Sequence, residues 1–354
     1  MTNVILLSVP QRRQTFSQNA DALIDVFANH PRTSEDVFWL KENGELLNIL
    51  ECSGTPVKEE SLAVYQQFYQ QLPATMAFFA QYYRFYLSIC LDLEDLGLKG
   101  NLGEQMGESV ATQGLAEVEL SDFQRGEAFR LLSRRGKKTP IDTGLDDRLR
   151  QFINRSATLA LPNKKAAYEL THIVFYLSEY GRRDPKLDAG AIQSLNFVGI
   201  IAHLDQNADL LAEICTALLF AGETPSQIWE NWVLASLADF QVVTNSASSI
   251  SDAYHEYFEC SWLAATAKQD GIGQAVLGGR TRFQRGDVAA GPLRNISKLL
   301  LEMDAERSPG WEVMRPIVER EIDGEGYGLL LQAQNATDDF AAFFERFSRV
   351  NIAV

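Results

Sequence analysis

Along most of the chain, apolar residues recur every three or four positions, which is the pattern of helices that bury one face. An early example is the stripe formed by Phe16, Ala20, Leu23 and Phe27. Alternation with a period of two residues is nearly absent, and only 242–244 and 328–331 are predicted to be short extended pieces. In the second half of the chain, the pattern predicts helices over 146–159, 163–180, 188–204, 207–220, 224–238, 251–268, 292–306, 309–320 and 337–348.

The residue pattern in the N-terminal part of the chain predicts further helices. Thr33 is expected to cap the second helix, with Asp36 at the capping-box position. A third helix follows, and Pro73 is predicted to open a fourth that stops near Gly97. The stretch 74–91 within it is the most apolar of the chain and should be a central buried helix. In the second half, Thr224-Pro225 is typical of an N-cap followed by proline at the first helical position. Paired helices with short links predict an all-α fold, a multi-helical array of antiparallel helix pairs arranged as an α/α toroid or a solenoid.

The segment 98–144 interrupts this pattern. It holds seven glycines and many charges, and its apolar periodicity is weak except in one short helix predicted over 122–133. We therefore divide the chain into an N-terminal helical subdomain (1–97), a glycine-rich, charged excursion or lid (98–144) and a C-terminal domain of helix pairs (145–354). Weak packing should make the excursion the most mobile part of the chain, cut first by proteases near the basic cluster 134–138, which is expected to be a solvated loop.

The net charge of the chain argues against two classes of binding partner. The net charge of −15 argues against a nucleic acid and against an anionic membrane, because both are bound by clustered lysines and arginines. The stretch 74–91 carries Gln81, Arg84 and three tyrosines, so it does not predict a membrane span. The four cysteines are widely separated, which fits free thiols in a reducing compartment, and no leader pattern is visible. We expect an acidic cytoplasmic protein.

The helix predicted over 163–180 carries the most informative polar pattern. Tyr168, Glu169, His172, Phe175 and Tyr176 follow one another at helical spacing, so they are expected to share a face that lines a pocket. The Glu169-x-x-His172 spacing lets a carboxylate and an imidazole reach one proton or one metal ion. The alternative is a core histidine that is hydrogen-bonded to Glu169.

A second candidate group lies in the helix predicted over 251–268. His255 and Glu259 are one turn apart there, and Trp262 follows them. We predict His172, Glu169 and His255 as catalytic residues, with His203 as a third histidine of interest. The residues predicted to bind a ligand are Tyr168, Phe175, Tyr176, Glu259 and Trp262.

A metal site is not predicted, although His172, His255, Glu169 and Glu259 together offer four donors. No pair of them has a diagnostic metal spacing, and the cysteines are not clustered. A nucleophile elbow, a phosphate-binding loop and a dinucleotide fingerprint are all absent from the sequence, so the cofactor stays unknown.

Two short segments resemble known helical proteins. The run Trp262-Leu-Ala-Ala-Thr-Ala-Lys-Gln269-Asp270-Gly271-Ile-Gly273 is similar to the helix end and turn of α/α-toroid proteins, which include terpene cyclases and the catalytic subunits of protein prenyltransferases. The run Thr171-His172-x-x-Phe175-Tyr176-x-Ser178-Glu179-Tyr180-Gly181 resembles a motif of uncharacterised bacterial proteins of the same architecture. The resemblance implies a toroid and its central pocket. The acidic Asp-x-Asp-Asp motif of the cyclases and the zinc ligands of the transferases are missing, so it implies architecture more than activity.

Three functions remain open at this stage. The first is an enzyme that acts on a small molecule or peptide in a toroid-type pocket. The second is a non-catalytic scaffold that binds a protein partner. The third is a carrier of a hydrophobic ligand. Convergence of His172, Glu169 and His255 on one cavity would favour the enzyme, and the substrate, partner and oligomeric state stay open.

Overall fold

The computed structural model describes residues 12–32, 36–137, 142–244, 252–286, 288–322 and 324–350. About 67% of the protein is helical, which confirms the all-α prediction. The first helices are α1 (Phe16–Asn29), α2 (Asp36–Cys52), α3 (Glu59–Leu62), α4 (Gln66–Phe78), α5 (Tyr83–Asp95), α6 (Leu102–Thr112), α7 (Asp122–Ser133), α8 (Leu145–Ile153) and α9 (Ser156–Leu159). They are followed by α10 (Lys164–Leu177), α11 (Ala189–Leu204), α12 (Ala208–Phe220), α13 (Gln227–Asp239), α14 (Tyr254–Thr266), α15 (Leu293–Met303), α16 (Trp311–Glu321), α17 (Gly324–Ala336) and α18 (Phe340–Phe347).

Helix α12 lies at the centre of the packing. It contacts α10, α11, α13 and α14, and α14 in turn contacts α2. Asparagine caps begin two of these helices, because the side chain of Asn163 accepts from the amide of Ala166 and that of Asn207 accepts from the amide of Leu210. A continuous set of buried apolar side chains runs from α1 to α18 through this centre.

Among the described residues, two short extended segments on either side of α14 form an antiparallel pair. Strand β1 (Gln241–Thr244) pairs antiparallel with β2 (Thr281–Gln284), with Val242 opposite Phe283. The extended piece predicted at 242–244 is therefore confirmed. The one predicted at 328–331 is wrong, because it lies inside α17. The glycines near the start of α17 lower its intrinsic helix propensity, and tertiary packing of Leu330 and Ala333 overrides that preference.

The single buried helix predicted over 74–91 is also wrong. Pro73 lies inside α4 rather than at a helix start, and the chain leaves helical geometry at Phe79 before a short 3-10 turn and α5. Three aromatic residues around this break face solvent, with exposures of 79% for Phe78, 47% for Tyr82 and 50% for Phe85, whereas Tyr83 and Tyr86 are buried. The α5 half of the stretch, around Leu87 and Leu91, belongs to the core, and Met76 is the buried residue of its α4 half.

The segment 98–144 contains more structure than its glycines predict. The helix predicted over 122–133 is confirmed as α7, and α6 precedes it, packed on α5. The prediction of a solvated basic loop is wrong for Arg134, whose side chain is 10% exposed and pairs with Asp92 and Asp95 at 2.7 Å each. Arg135 pairs with Glu94 and Asp95. The acidic side chains of α5 neutralise these two arginines, which are therefore not free to bind an anion.

Smaller differences concern helix ends. The segment predicted as one helix over 146–159 is divided into α8 and α9, and Ser226, rather than Thr224, is the N-cap of α13. The predicted cap at Thr33 lies outside the described residues. Within the described part of the chain, no helix is long and apolar enough to cross a membrane.

Candidate functional site

The candidate site is centred on Glu213 of α12. Its side chain is buried, with 1% of the residue exposed, although every neighbour from Leu210 to Phe220 is uncharged. The hydroxyl of Thr171 on α10 donates to Oε2 of Glu213 at 2.5 Å, and Oε1 lies 3.8 Å from Nε2 of His172. A buried carboxylate needs such partners, because an isolated charge in an apolar interior is very unfavourable.

Helix α14 adds two further donors. His255 and Glu259 lie one turn apart on it, and one ligand atom from each of Glu213, His255 and Glu259 falls within 4.8 Å of the other two. Glu259 is 6% exposed, and its Oε2 has no hydrogen-bond partner within the described residues. The buried carboxylate of Glu259 is therefore incompletely satisfied.

Carboxylates lie against both ring nitrogens of His255. Nδ1 is 3.5 Å from Oε2 of Glu45 on α2, and Nε2 is 3.7 Å from Oδ2 of Asp209 on α12. The hydroxyl of Tyr168 on α10 donates to the same Asp209 oxygen at 2.9 Å. When one ring nitrogen of a histidine binds a metal ion, the other commonly donates to a carboxylate, and His255 has a carboxylate on each side.

The polar side chains of the cluster lie in two layers, one helical turn apart, along helices that run in parallel. Asp209 lies beside His255, and one turn further along both helices Glu213 lies near Glu259. Helix α10 follows the same order, since Tyr168 contacts Asp209 and Thr171 contacts Glu213. Helices α10, α12 and α14 therefore run in the same direction, with α11 and α13 returning the chain between them.

Electrostatics at the cluster are dominated by its carboxylates. Burial lowers the pKa of His255, but Glu45 and Glu259 outweigh burial and raise it to about 10. For Glu259, burial and the nearby Glu213 carboxylate raise the pKa well above its ordinary value. The pKa of His172 is also raised, because Glu213 and Glu127 outweigh the opposing effect of its partial desolvation. Without a bound cation, protons on these groups offset the excess of negative charge.

His172 lies at the accessible side of the cluster. Its side chain is 39% exposed, against 2% for Glu213. The ring of Phe123 on α7 lies 6.1 Å from the imidazole between centroids, and the hydroxyl of Tyr176 lies 3.5 Å from Nδ1. Two aromatic side chains thus flank the partly exposed imidazole of His172.

The structure brings together some of the predicted site residues and separates others. His172, His255 and Glu259 surround Glu213, while Tyr168 and Tyr176 lie around them. The side chain of Glu169 is instead 3.8 Å from Lys165, on the outside of α10. Phe175 and Trp262 pack on each other in the apolar core, 5.0 Å between ring centroids. His203 is fully buried against Trp232.

Sequence reasoning missed Glu213, Asp209 and Glu45. A usable signal for the first was its isolation, since a single carboxylate in an otherwise apolar helix must find a buried partner. A second signal was spacing. Asp209 and Glu213 are four residues apart, as are His255 and Glu259, so each pair projects from one helix face.

The comparisons with known proteins give a family but no activity. The family model described as a domain of unknown function, DUF6902, matches residues 1–350. The chain belongs to this family. No curated protein and no solved structure matches the chain.

Proposed function

We propose that this protein is a metal-dependent enzyme that acts on a small molecule at the Glu213–His255–Glu259 cluster. The observation that carries the proposal is the buried Oε2 of Glu259, which lacks a hydrogen-bond partner within the described residues and belongs to a set of donors within 4.8 Å of one another. A bound cation supplies the missing partner and offsets the buried negative charge. In this proposal Glu213 has the role that the sequence analysis assigned to Glu169.

The donor set indicates the kind of ion. Imidazole nitrogen and carboxylate oxygen suit divalent manganese, iron, cobalt or zinc, whereas a thiophilic ion would need sulfur ligands. The cysteine thiols do not belong to this donor set.

Catalytic rather than structural use of the ion is supported by the number of ligands. Three protein ligands leave coordination positions open, as is usual in catalytic metal sites, whereas structural sites are closed by the protein. The partly exposed His172 and the rings of Phe123 and Tyr176 mark the side where an open position meets solvent. A divalent ion held there would lower the pKa of a bound water molecule and would polarise an oxygen of the substrate.

The test compares Glu259→Gln with a matched control, Glu169→Gln, in protein freed of metal by a chelator. Without metal, Glu259→Gln should be as stable as the wild type or more stable, because the substitution removes a buried carboxylate. With saturating Mn²⁺, Co²⁺ or Zn²⁺, the wild type and Glu169→Gln should gain ~3 kcal/mol at 100 times the dissociation constant, and Glu259→Gln should gain almost nothing. Thermal denaturation and metal analysis by mass spectrometry measure both effects.

A wild-type protein that retains no metal and shows no metal-dependent shift would overturn the proposal. Equal metal-dependent stabilisation of Glu259→Gln and the wild type would show that the ion binds in another part of the chain.

A further inference from the structure

The donors around Glu213 exceed the needs of one ion. Beyond the Glu213–His255–Glu259 set, a second imidazole, that of His172, lies 3.8 Å from Oε1 of Glu213. Two more carboxylates, those of Glu45 and Asp209, lie within 3.7 Å of His255. Four helices, α2, α10, α12 and α14, thus present two imidazoles and four carboxylates to one region. This inventory equals that of helical bundles that bind two metal ions through four carboxylates and two histidines.

Glu213 is placed between the two imidazoles. One of its oxygens faces His172, and the carboxylate also lies within 4.8 Å of the donors on His255 and Glu259. Thr171 fixes its orientation through Oε2. Glu259, one turn after His255 on α14, is the second carboxylate beside Glu213, and its Oε2 has no hydrogen-bond partner in the part of the chain that the structure describes. Two adjacent carboxylates flanked by histidines suit a pair of ions about 3.5–4 Å apart.

Charge balance favours two ions over one. Four carboxylates with two neutral imidazole ligands carry a formal charge of −4, which two divalent cations cancel and a single one does not. Within the described residues, Asp209, Glu213 and Glu259 form ion pairs with histidines only or with none, and the largely exposed Lys41 contacts Glu45. The nearby arginines are engaged elsewhere, since Arg285 pairs with Glu256 and Arg32 with Asp252.

We propose that the cluster binds two divalent metal ions bridged by Glu213 and Glu259, with His255 as the terminal nitrogen ligand of one ion and His172 of the other. The proposal rests on the proposed function and deepens it. Glu45 and Asp209 supply further oxygen atoms on the His255 side. Because the side chain of His172 is partly exposed, an ion held by His172 would be the one that meets the substrate.

Metal stoichiometry in the full-length chain tests the pair of ions. Metal-free protein is titrated with Mn²⁺ and with Co²⁺, bound metal is counted by mass spectrometry after gel filtration, and electron paramagnetic resonance of the Mn²⁺ form reports magnetic coupling. We expect about two ions per chain and a coupled spectrum. His172→Ala should reduce the content to about one ion and remove the coupling, whereas Glu169→Gln on the same helix should keep both.

The outcomes separate this inference from the proposed function. One uncoupled ion per chain in the wild type, unchanged in His172→Ala, would overturn the pair of ions and leave a single-ion enzyme. Failure of the wild type to bind either metal would overturn both proposals. The wild-type measurement decides the question even if His172→Ala does not fold.

Discussion

Glu213 is held on two sides, because Thr171 donates to one carboxylate oxygen and His172 lies 3.8 Å from the other. The neighbours of Glu213 on α12 are apolar and pack against four other helices, so its position is fixed by the surrounding core. A side chain positioned this way keeps its geometry whether or not a ligand is bound, which is the condition for a preorganised metal site.

At the residue scale, the candidate site was only partly predictable. The spacing along α10 and α14 identified His172, His255 and Glu259, because these residues interrupt apolar helices at one-turn intervals. It also grouped Glu169 with His172, and the side chain of Glu169 lies 3.8 Å from Lys165. Which acid of another helix meets the histidines depends on helix packing, and local spacing holds no information about that.

A buried histidine outside the cluster gives a prediction about pH. Burial lowers the pKa of His203 from 6.5 to about 4, so the folded protein keeps this side chain neutral where the unfolded chain binds a proton. Its contribution to the free energy of unfolding therefore falls as the pH drops from about 6.5 to 4, by on the order of 3 kcal/mol. His203→Gln should flatten the pH dependence in that window, as measured by urea denaturation at several pH values. Parallel curves for the two proteins would contradict the assignment.

At the scale of elements, helix existence was easier to predict than helix boundaries. The apolar period located α10, α11 and α12 because each buries a long face. It missed α17, whose glycines reduce its propensity, and it merged α4 with α5, because an apolar composition does not reveal a turn at Phe79. Glycine and proline are only statistical signals of breaks, and packing decides whether a break occurs.

The Asp-Gly turn after α14 has a structural role in the first helix. Both carboxylate oxygens of Asp270 accept from the amide of Phe16, at 2.9 and 3.0 Å, so the turn caps the start of α1 from a distant part of the chain. Gly271 permits this turn with a φ of +96°. Whether the helices close into a toroid, as the resemblance of this turn implies, stays a prediction.

Loss of this cap should destabilise the protein without affecting the proposed metal site. Asp270→Ala should lower the free energy of unfolding by ~1–2 kcal/mol, since an amide at a helix start loses its acceptor. Asp239→Ala, at an exposed position, is the control and should change stability by less than ~0.5 kcal/mol. Denaturant unfolding measures both, and equal effects of the two substitutions would exclude a capping role for Asp270.

At the scale of the whole molecule, the three segments predicted from sequence are joined by buried charge as well as by the apolar core. Arg134, just after α7, pairs with Asp92 on α5 at 2.7 Å and lies 3.8 Å from Glu51 on α2. Glu51 also pairs with Arg182, which follows α10. Residues from 1–97, 98–144 and 145–354 therefore meet in one ion-pair network. The charged excursion packs on its neighbours because its arginines find acids that the sequence places tens of residues away.

This network gives a prediction about cooperativity. Asp92 is fully buried, so Arg134→Gln leaves its carboxylate uncompensated and should cost ~3–5 kcal/mol, with earlier hydrogen exchange in α5 and α7 than in α12. The double variant Arg134→Gln/Asp92→Asn removes both charges and should regain most of that loss, because a neutral pair no longer carries the penalty of a buried, unpaired ion. Calorimetry and hydrogen exchange of the wild type and both variants test this. A double variant no more stable than Arg134→Gln alone would show that the arginine acts through packing of its side chain and not through charge.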